Sequence, residues 1–398
     1  MNYRKEKQPG LLERLTEYAG SDAYPFHMPG HKRREIPDGI PGGFPDPYGI
    51  DITEIDGFDN LHHAEGILKD AMETAAAIYG ADRSWYLVNG STCGILSAVF
   101  AATENGGKLL TARNCHKAVY HAICLNRLEA EYLYPEEITE FGINGGIRAE
   151  DVIAAVDERT RLVSVMAVNN ETGERLPVEE IARGVKEKNP SVLVHCDCVQ
   201  GYGKIPFTLN CIPADLVTMT AHKIHGPKGC GAIYVREGVK PGPICFGGSQ
   251  ESALRPGTEN APGIAAFGLA AGNALKDIRK NWLHVEMLNR YLREELEPLP
   301  EVVINSPEGA VPYVLNLSVL PFTTEQLVHE MRMRGIYLSG SSACEKGAKS
   351  HVIRAMGIEA SRADSAIRLG LGKKNTLQEM KVLIETLKEM IRREKSYE

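Results

Sequence analysis

The sequence predicts an α/β fold: one large, mostly parallel sheet covered on both faces by helices, followed by a smaller α+β unit. Three observations carry this expectation. The apolar runs RLVSVMAV (161–168), SVLVHCDCV (191–199) and DLVTMTA (215–221) are continuous and separated by helical patterns. Strands buried on both faces read as unbroken apolar runs, the mark of a parallel sheet. Beyond about residue 262 the texture changes to long amphipathic helices and short strands. A chain of 398 residues also exceeds what a single small core fills and suits two domains. The expected division is an N-terminal arm over 1–48, a large domain over 49–262 and a small C-terminal domain over 263–398.

Taken in order, the first sixty residues carry Pro and Gly in PFHMPGHK and IPGGFPDPYG and read as an extended arm. Leu68 to Tyr79 has helical periodicity. SWYLV (84–88) reads as a strand that turns into the helix GILSAVFAA, and the three apolar runs follow, then the strand GAIYV (231–235). A single long helix is expected over roughly 264–297, then the strands EVVINS and YVLNLSV and the helix TTEQLVHEMRMRG. The last helix, Leu377 to Ile391, opens with a capping box in which Thr376 and Glu379 are reciprocal caps.

Composition narrows the function. Hydrophobic residues make up 43% and charged residues 24%, which is ordinary for a globular chain, and the net charge of −7 argues against nucleic acid as a main partner. There is no apolar stretch of membrane-spanning length, and MNYRKEKQPG lacks the apolar core of an export signal. The nine cysteines follow no paired spacing and read as reduced thiols of a cytoplasmic protein.

Ligands of an open parallel sheet gather beyond the carboxyl ends of its strands. After SWYLV come Asn89, Gly90, Ser91 and Thr92 at a helix start; small and hydroxyl residues there suit an anion, although they equally suit an ordinary N-cap. After the next runs come Asn169, then Asp197 with Gln200, then Thr220, His222 and Lys223. Polar residues converging from several strand ends suit pyridoxal 5′-phosphate. That cofactor needs a lysine for its covalent link, an acid for its ring nitrogen and an anion site for its phosphate. His116 is placed to lie flat on the ring; spacing alone leaves it equally a helix N-terminal turn residue. Cys344 sits in the polar loop SGSSACEKG, where Lys346 and Lys349 favour its thiolate. Arg368 lies within the strand-like AIRLG and suits a carboxylate. Cys196, Cys198, His222 and His225 do not form a zinc knuckle, so no metal is expected.

These residues resemble the fold-type I pyridoxal-phosphate enzymes. From about residue 160 onward, NNETG (169–173), HCDCVQ (195–200), TAHKIHGPKGCGAIYV (220–235), GGSQESALRPGTEN (247–260), SGSSAC (339–344) and SHVIRAMGI (350–358) resemble the class V aminotransferase-type cysteine desulfurases. The resemblance implies that Lys223 anchors the cofactor covalently and Asp197 pairs with its ring nitrogen. Gln200 and Asn169 then meet the ring hydroxyl side, and Thr220, His222, Ser91 and Thr92 hold the phosphate. Thr258 reaches the phosphate of a neighbouring subunit, which implies a homodimer. Arg368, with Asn169, binds the substrate carboxylate, and Cys344 takes the sulfur as a persulfide for an acceptor protein.

Residues 20 to about 150 are instead similar to the ornithine/lysine/arginine decarboxylases, through FHMPGHK (26–32), DITEIDGFDNLHHAEGIL (51–68), ADRSWYLVNGSTCGI (81–95) and RNCHKAVYHA (113–122). The join is expected near 140–165. Ser91, Thr92 and His116 serve either chemistry. The expected activity is that of a cysteine desulfurase, because a nucleophile on a polar loop and a carboxylate clamp are both present, whereas acidic recognition of a basic side chain is not evident. Decarboxylation of a basic amino acid is the alternative, and a catalytically reduced sulfur carrier or scaffold-binding protein is a third reading.

Overall fold

The computed structural model describes residues 20–26, 65–103, 106–135, 137–138, 143–144, 146–205, 213–240, 242–243, 247–248, 251, 253–258, 260–340 and 365–395. Strand β1 (Tyr24–Pro25) comes first, then helix α1 (Ile67–Tyr79), β2 (Arg83–Val88), α2 (Ser91–Thr103), β3 (Lys108–Ala112), α3 (Lys117–Asn126) and β4 (Glu129–Leu133). A small hairpin of β5 (Glu137–Ile138) and β6 (Ile143–Asn144) leads to α4 (Ala149–Ala155), β7 (Thr160–Met166), α5 (Val178–Lys188), β8 (Leu193–Asp197), β9 (Leu216–Thr220) and β10 (Cys230–Val235).

Seven of these strands form one sheet in the order β2-β10-β9-β8-β7-β3-β4. The neighbours from β9 through β4 are all parallel. The apolar runs behave as expected: β9 and β10 are buried at every residue, and β7 at every residue but Arg161. The edge strand β4 alternates in exposure. Its polar sequence, EAEYL, and the short KLLTA of β3 gave no strong strand signal. The strand GAIYV departs from the parallel expectation, since β10 runs antiparallel to both β9 and β2. Two reversals restore direction, so β2 points the same way as β9. The carboxyl ends of β2, β3, β7, β8 and β9 therefore lie along one edge.

A buried polar clip ties the central strands together. Ser164 Oγ lies 2.9 Å from His195 Nδ1, and His195 Nε2 lies 3.1 Å from Thr218 Oγ1, linking β7, β8 and β9. All three residues are buried, and burial pushes the His195 imidazole down to about 3, so it is neutral near pH 7.

The expected long helix is two helices, α6 (Ala261–Lys276) and α7 (Ile278–Leu296). Asp277, at φ −110° and ψ 12°, ends one and starts the other. Aspartate competes for backbone hydrogen bonds and favours such boundary positions, a signal that the apolar periodicity across the break obscures. A second, antiparallel sheet has the order β11-β12-β15-β14, from β11 (Val302–Ile304), β12 (Val314–Val319), β14 (Ser339–Gly340) and β15 (Ala366–Gly370). Helix α8 (Thr324–Met333) precedes β13 (Ile336–Tyr337), which pairs parallel with β1. The last helix, α9 (Leu377–Lys395), carries the expected capping box: Thr376 N–H donates to Glu379 Oε2 at 2.9 Å, and Glu379 N–H to Thr376 Oγ1 at 3.3 Å.

Residues 24–26 belong structurally with this second sheet. Phe26 N–H donates to Tyr337 O at 2.8 Å, and Gly370 N–H donates to Phe26 O at 3.0 Å. The Phe26 ring is 1% exposed. The remainder of the FHMPGHK stretch lies outside the described residues. Among the described residues no helix is long and apolar enough to cross a membrane.

Candidate active site

The turn after β2 is built from two left-handed residues, Asn89 at φ 65° and Gly90 at φ 67°, and α2 begins at the next residue, Ser91. The turn presses onto β10. A Cβ on Gly231 would stand 2.5 Å from the Gly90 carbonyl carbon, so only glycine permits this approach. On the other side, a Cβ on Gly90 would meet Thr220 Oγ1 at 3.5 Å. Thr220 thus abuts the start of α2. Its hydroxyl lies 3.0 Å from His222 Nδ1 and donates to Cys230 O at 3.1 Å. Burial first, then the charges of Lys223, Lys204 and Lys228, push His222 down to about 4. The result is a pocket of neutral donors at a helix N-terminus, with Ser91 half-buried and Thr92 exposed beside it.

Asp197 ends β8 and is 6% exposed. Its Oδ1 accepts from Val199 N–H at 3.1 Å. Burial pushes its carboxyl above the ordinary range, while the charges of His116 and Lys223 pull it back. A buried acid at this strand end suits a cationic ring nitrogen. Lys223 closes the 3-10 turn Ala221–Lys223 directly after β9. Asn169, past the end of β7, is 6% exposed. Its Oδ1 is engaged by Glu171 N–H at 2.8 Å and Thr172 N–H at 3.1 Å, so its Nδ2 is the end that can face a ligand.

A cleft of about 710 Å³ opens between these strand ends and the second sheet, lined by Lys223, Gln200, Lys204, Arg368, Tyr313 and Phe26 among others. Arg368 stands on β15 opposite Asn316 and Ser339, and its Nη1 donates to Asn170 O at 3.0 Å. Lys223, Gln200 and Arg368, read from sequence as separate groups, therefore face one space. No Asp or Glu lines it among the described residues.

Three expectations stand apart from that cluster. His116 caps α3, its Nδ1 accepting from Ala118 N–H at 3.2 Å. That satisfies the turn reading, while the ring also lies near enough to Asp197 to influence its carboxyl. Thr258 is exposed on the segment leading into α6. Cys344 lies outside the described residues. Conversely, sequence reasoning missed Lys204, Tyr313 and Phe26 in the cleft wall. Lys204 had one visible signal, its position four residues beyond Gln200. Among the described residues, no group of three His, Cys, Asp or Glu side chains is placed to hold a metal ion.

Comparison with known proteins agrees with this geometry. The family described as aminotransferase class-V matches residues 57–383. A cysteine desulfurase of Nostoc sp. (strain PCC 7120) is 33% identical over 354 residues, covering 84% of this chain and 85% of the relative. Cysteine desulfurase IscS of Anaeromyxobacter sp. (strain K) is 36% identical over 344 residues, 83% of each chain. Among solved structures, a NifS-like protein superposes with a TM-score of 0.74 at 32% identity, over 82% of this chain and 87% of that one. DndA from Streptomyces lividans gives 0.63 at 28% identity, over 76% and 87%. The class-V match spans the expected join at 140–165, and the resemblance of residues 20–150 to basic amino acid decarboxylases finds no support in these comparisons.

Proposed function

The chain belongs to the class-V aminotransferase family, and from that premise we infer that it is a cysteine desulfurase: L-cysteine and an enzyme thiol give L-alanine and an enzyme persulfide. The observation that carries this reading is the convergence of Lys223, Gln200 and Arg368 on one cleft without a lining acid among the described residues. A lysine, arginine or ornithine substrate would bring its distal cation among Lys204, Lys223, Arg368 and Lys373. Like charges in so confined a space repel, which disfavours the decarboxylase alternative.

Pyridoxal 5′-phosphate fits the residues present. The Gly90–Gly231 contact sets the start of α2 against β10, neutral Thr220 and His222 stand beside it, and Asp197 is a buried acid suited to a ring nitrogen. When bound, the cofactor withdraws electrons from the substrate's carbon skeleton. Lys223 holds it and then moves a proton at its own Nζ. Asp197 keeps the ring nitrogen protonated, and Gln200 and Asn169 meet the ring hydroxyl side. Ser91, Thr92, Thr220 and His222 hold the phosphate, with His116 against the ring face. Arg368 and Asn169 orient the substrate carboxylate.

Cys344 is the proposed nucleophile. Its thiolate attacks the substrate sulfur, so an S–S bond forms and the substrate Cβ–S bond breaks. The electron pair of the broken bond stays with the carbon skeleton, which leaves as alanine after protonation. Thr258, exposed in this chain, suits a phosphate in a second copy, so a homodimer is part of the proposal. So are a sulfur-acceptor protein, a cytoplasmic location and the division into an arm and two domains at 48 and 262.

The test is paired measurement of sulfide and alanine from L-cysteine with a reductant, alongside carbon dioxide from lysine, arginine and ornithine. Equal yields of sulfide and alanine are expected, lost in Cys344→Ala. Carbon dioxide without sulfide would overturn the reading, and full activity in Cys344→Ala would overturn the nucleophile.

A further inference from the structure

We propose that Lys204 is a positioning residue that fixes the amide of Gln200, turning its Nε2–H toward the cofactor's ring oxygen. The inference rests on the reading of Gln200 as a ring contact. Lys204 Nζ donates to Gln200 Oε1 at 3.1 Å, and the two residues are 8% and 7% exposed. An amide can present either end to a ligand, but an ammonium group only donates. Lys204 therefore claims the oxygen end of Gln200 and leaves the Nε2 donor for the other side. A flipped amide would set N–H groups against a buried ammonium.

The local fold holds this arrangement. Tyr202 N–H donates to Cys198 O at 2.7 Å and Ile205 N–H to Gly201 O at 3.0 Å, so the chain turns helically and brings residues 200 and 204 to one side. Gly203, at φ 65°, presses against neighbouring elements: a Cβ there would stand 2.9 Å from both Ala274 Cβ and Ile224 Cγ2. That contact sets Lys204 beside the turn that carries Lys223. On its far side, Lys204 Nζ lies 5.5 Å from the Tyr313 ring centroid, a cation–π contact that keeps the ammonium in the cleft wall.

The consequence is electrostatic. A ring oxygen that accepts from Gln200 Nε2 carries its negative charge more comfortably, so the proton at the neighbouring Lys223 nitrogen is held less tightly. The ammonium of Lys204 acts in the same direction. The other titratable or charged groups around Lys223 are Asp197 from β8, His116 ahead of α3, His222, His225 and Lys228 of its own turn and the residues after it, Arg368 of β15, and Lys373 just beyond that strand. All of them remain in every variant compared below.

The experiment is a pH titration of the cofactor's visible absorption in the reconstituted holoenzyme. Lys204→Met is expected to raise the midpoint by about one unit, a tenfold change in proton affinity. Lys204→Gln, shorter and uncharged, is expected to do the same and serves if the Met variant does not fold. Lys204→Arg, which keeps donor and charge, is expected to stay near wild type. In a Gln200→Leu background, Lys204→Met is expected to add clearly less than it does in wild type, because only the ammonium's own charge is then left to lose. An unmoved midpoint in both Lys204→Met and Lys204→Gln overturns the inference. So does an undiminished shift in the Gln200→Leu background, which would mean that Lys204 acts by charge alone. A wild-type protein that takes up no cofactor overturns the reading of the site as well, whereas a normal wild-type titration with unaltered variants overturns only the role of Lys204.

Discussion

Asp197 and Lys204 show two ways in which one side chain is fitted to the site. Asp197 is buried at a strand end with its carboxyl pushed up by burial. The folded chain then binds that proton more tightly than the unfolded chain does. Stability from this group is highest below the ordinary carboxylate range, falls as pH rises toward the raised folded value, and stays lost above it. Asp197→Asn removes that penalty. In cofactor-free protein near pH 7.5 the variant is expected to melt no lower than wild type, and its relative advantage is expected to vanish at acid pH. Its affinity for pyridoxal 5′-phosphate is expected to fall at least tenfold, since a charge-assisted hydrogen bond of about 1.5–3 kcal/mol is lost. Thermal melts and equilibrium dialysis check the two halves; a large loss of cofactor-free stability at pH 7.5 would contradict the account. Asp197 and Lys223 were legible in the sequence because a strand end exposes its next residues to the ligand edge whatever the rest of the chain does. Lys204 was not, because its direction depends on a turn pressed against Ile224 and Ala274, contacts that no local pattern encodes.

Among the elements, β7, β8 and β9 depend on the Ser164–His195–Thr218 clip. His195 is fully buried, and its folded value of about 3 lies below the ordinary histidine value. A group depressed in this way contributes fully above the unfolded value and loses stability as pH falls below it. Between about pH 6.5 and 4.5 the loss from His195 alone is roughly 2 kcal/mol, provided that the fold keeps the ring neutral. His195→Asn is expected to be less stable at pH 8 but to show a flatter decline over that window; denaturant unfolding at several pH values measures it, and an equally steep decline would exclude His195 as the cause. The strands holding this clip were readable as continuous apolar runs. The reversed direction of β10 was not, because buried parallel and antiparallel strands share one composition. Nor was the break at Asp277, where one capping residue interrupts an apolar stripe that continues on both sides.

Over the whole molecule, the sequence showed a parallel-sheet unit followed by a mixed one. It did not show how Phe26 closes the cleft. Phe26 is inserted between β13 and β15 by two backbone hydrogen bonds, and its ring lines the cleft that Arg368 faces. Phe26→Ala is expected to reduce stability by about 3–5 kcal/mol, the usual result of emptying a buried aromatic site. It is also expected to raise KM for L-cysteine while leaving the cofactor's spectrum unchanged, because Asp197, Thr220 and Lys223 lie on the other sheet. A changed spectrum with unchanged KM would reverse that assignment.

The position of Phe26 also dictates an order of events during synthesis. Residue 26 leaves the ribosome long before Tyr337 and Gly370, which hold it. Every strand of the large sheet has emerged by residue 235 and can pair while translation continues. The proposed phosphate site can therefore form before the cleft has its final wall. Pairing between such distant segments forms slowly. The strand ends that carry Asp197 and Lys223 are thus in place well before the wall that Phe26 completes.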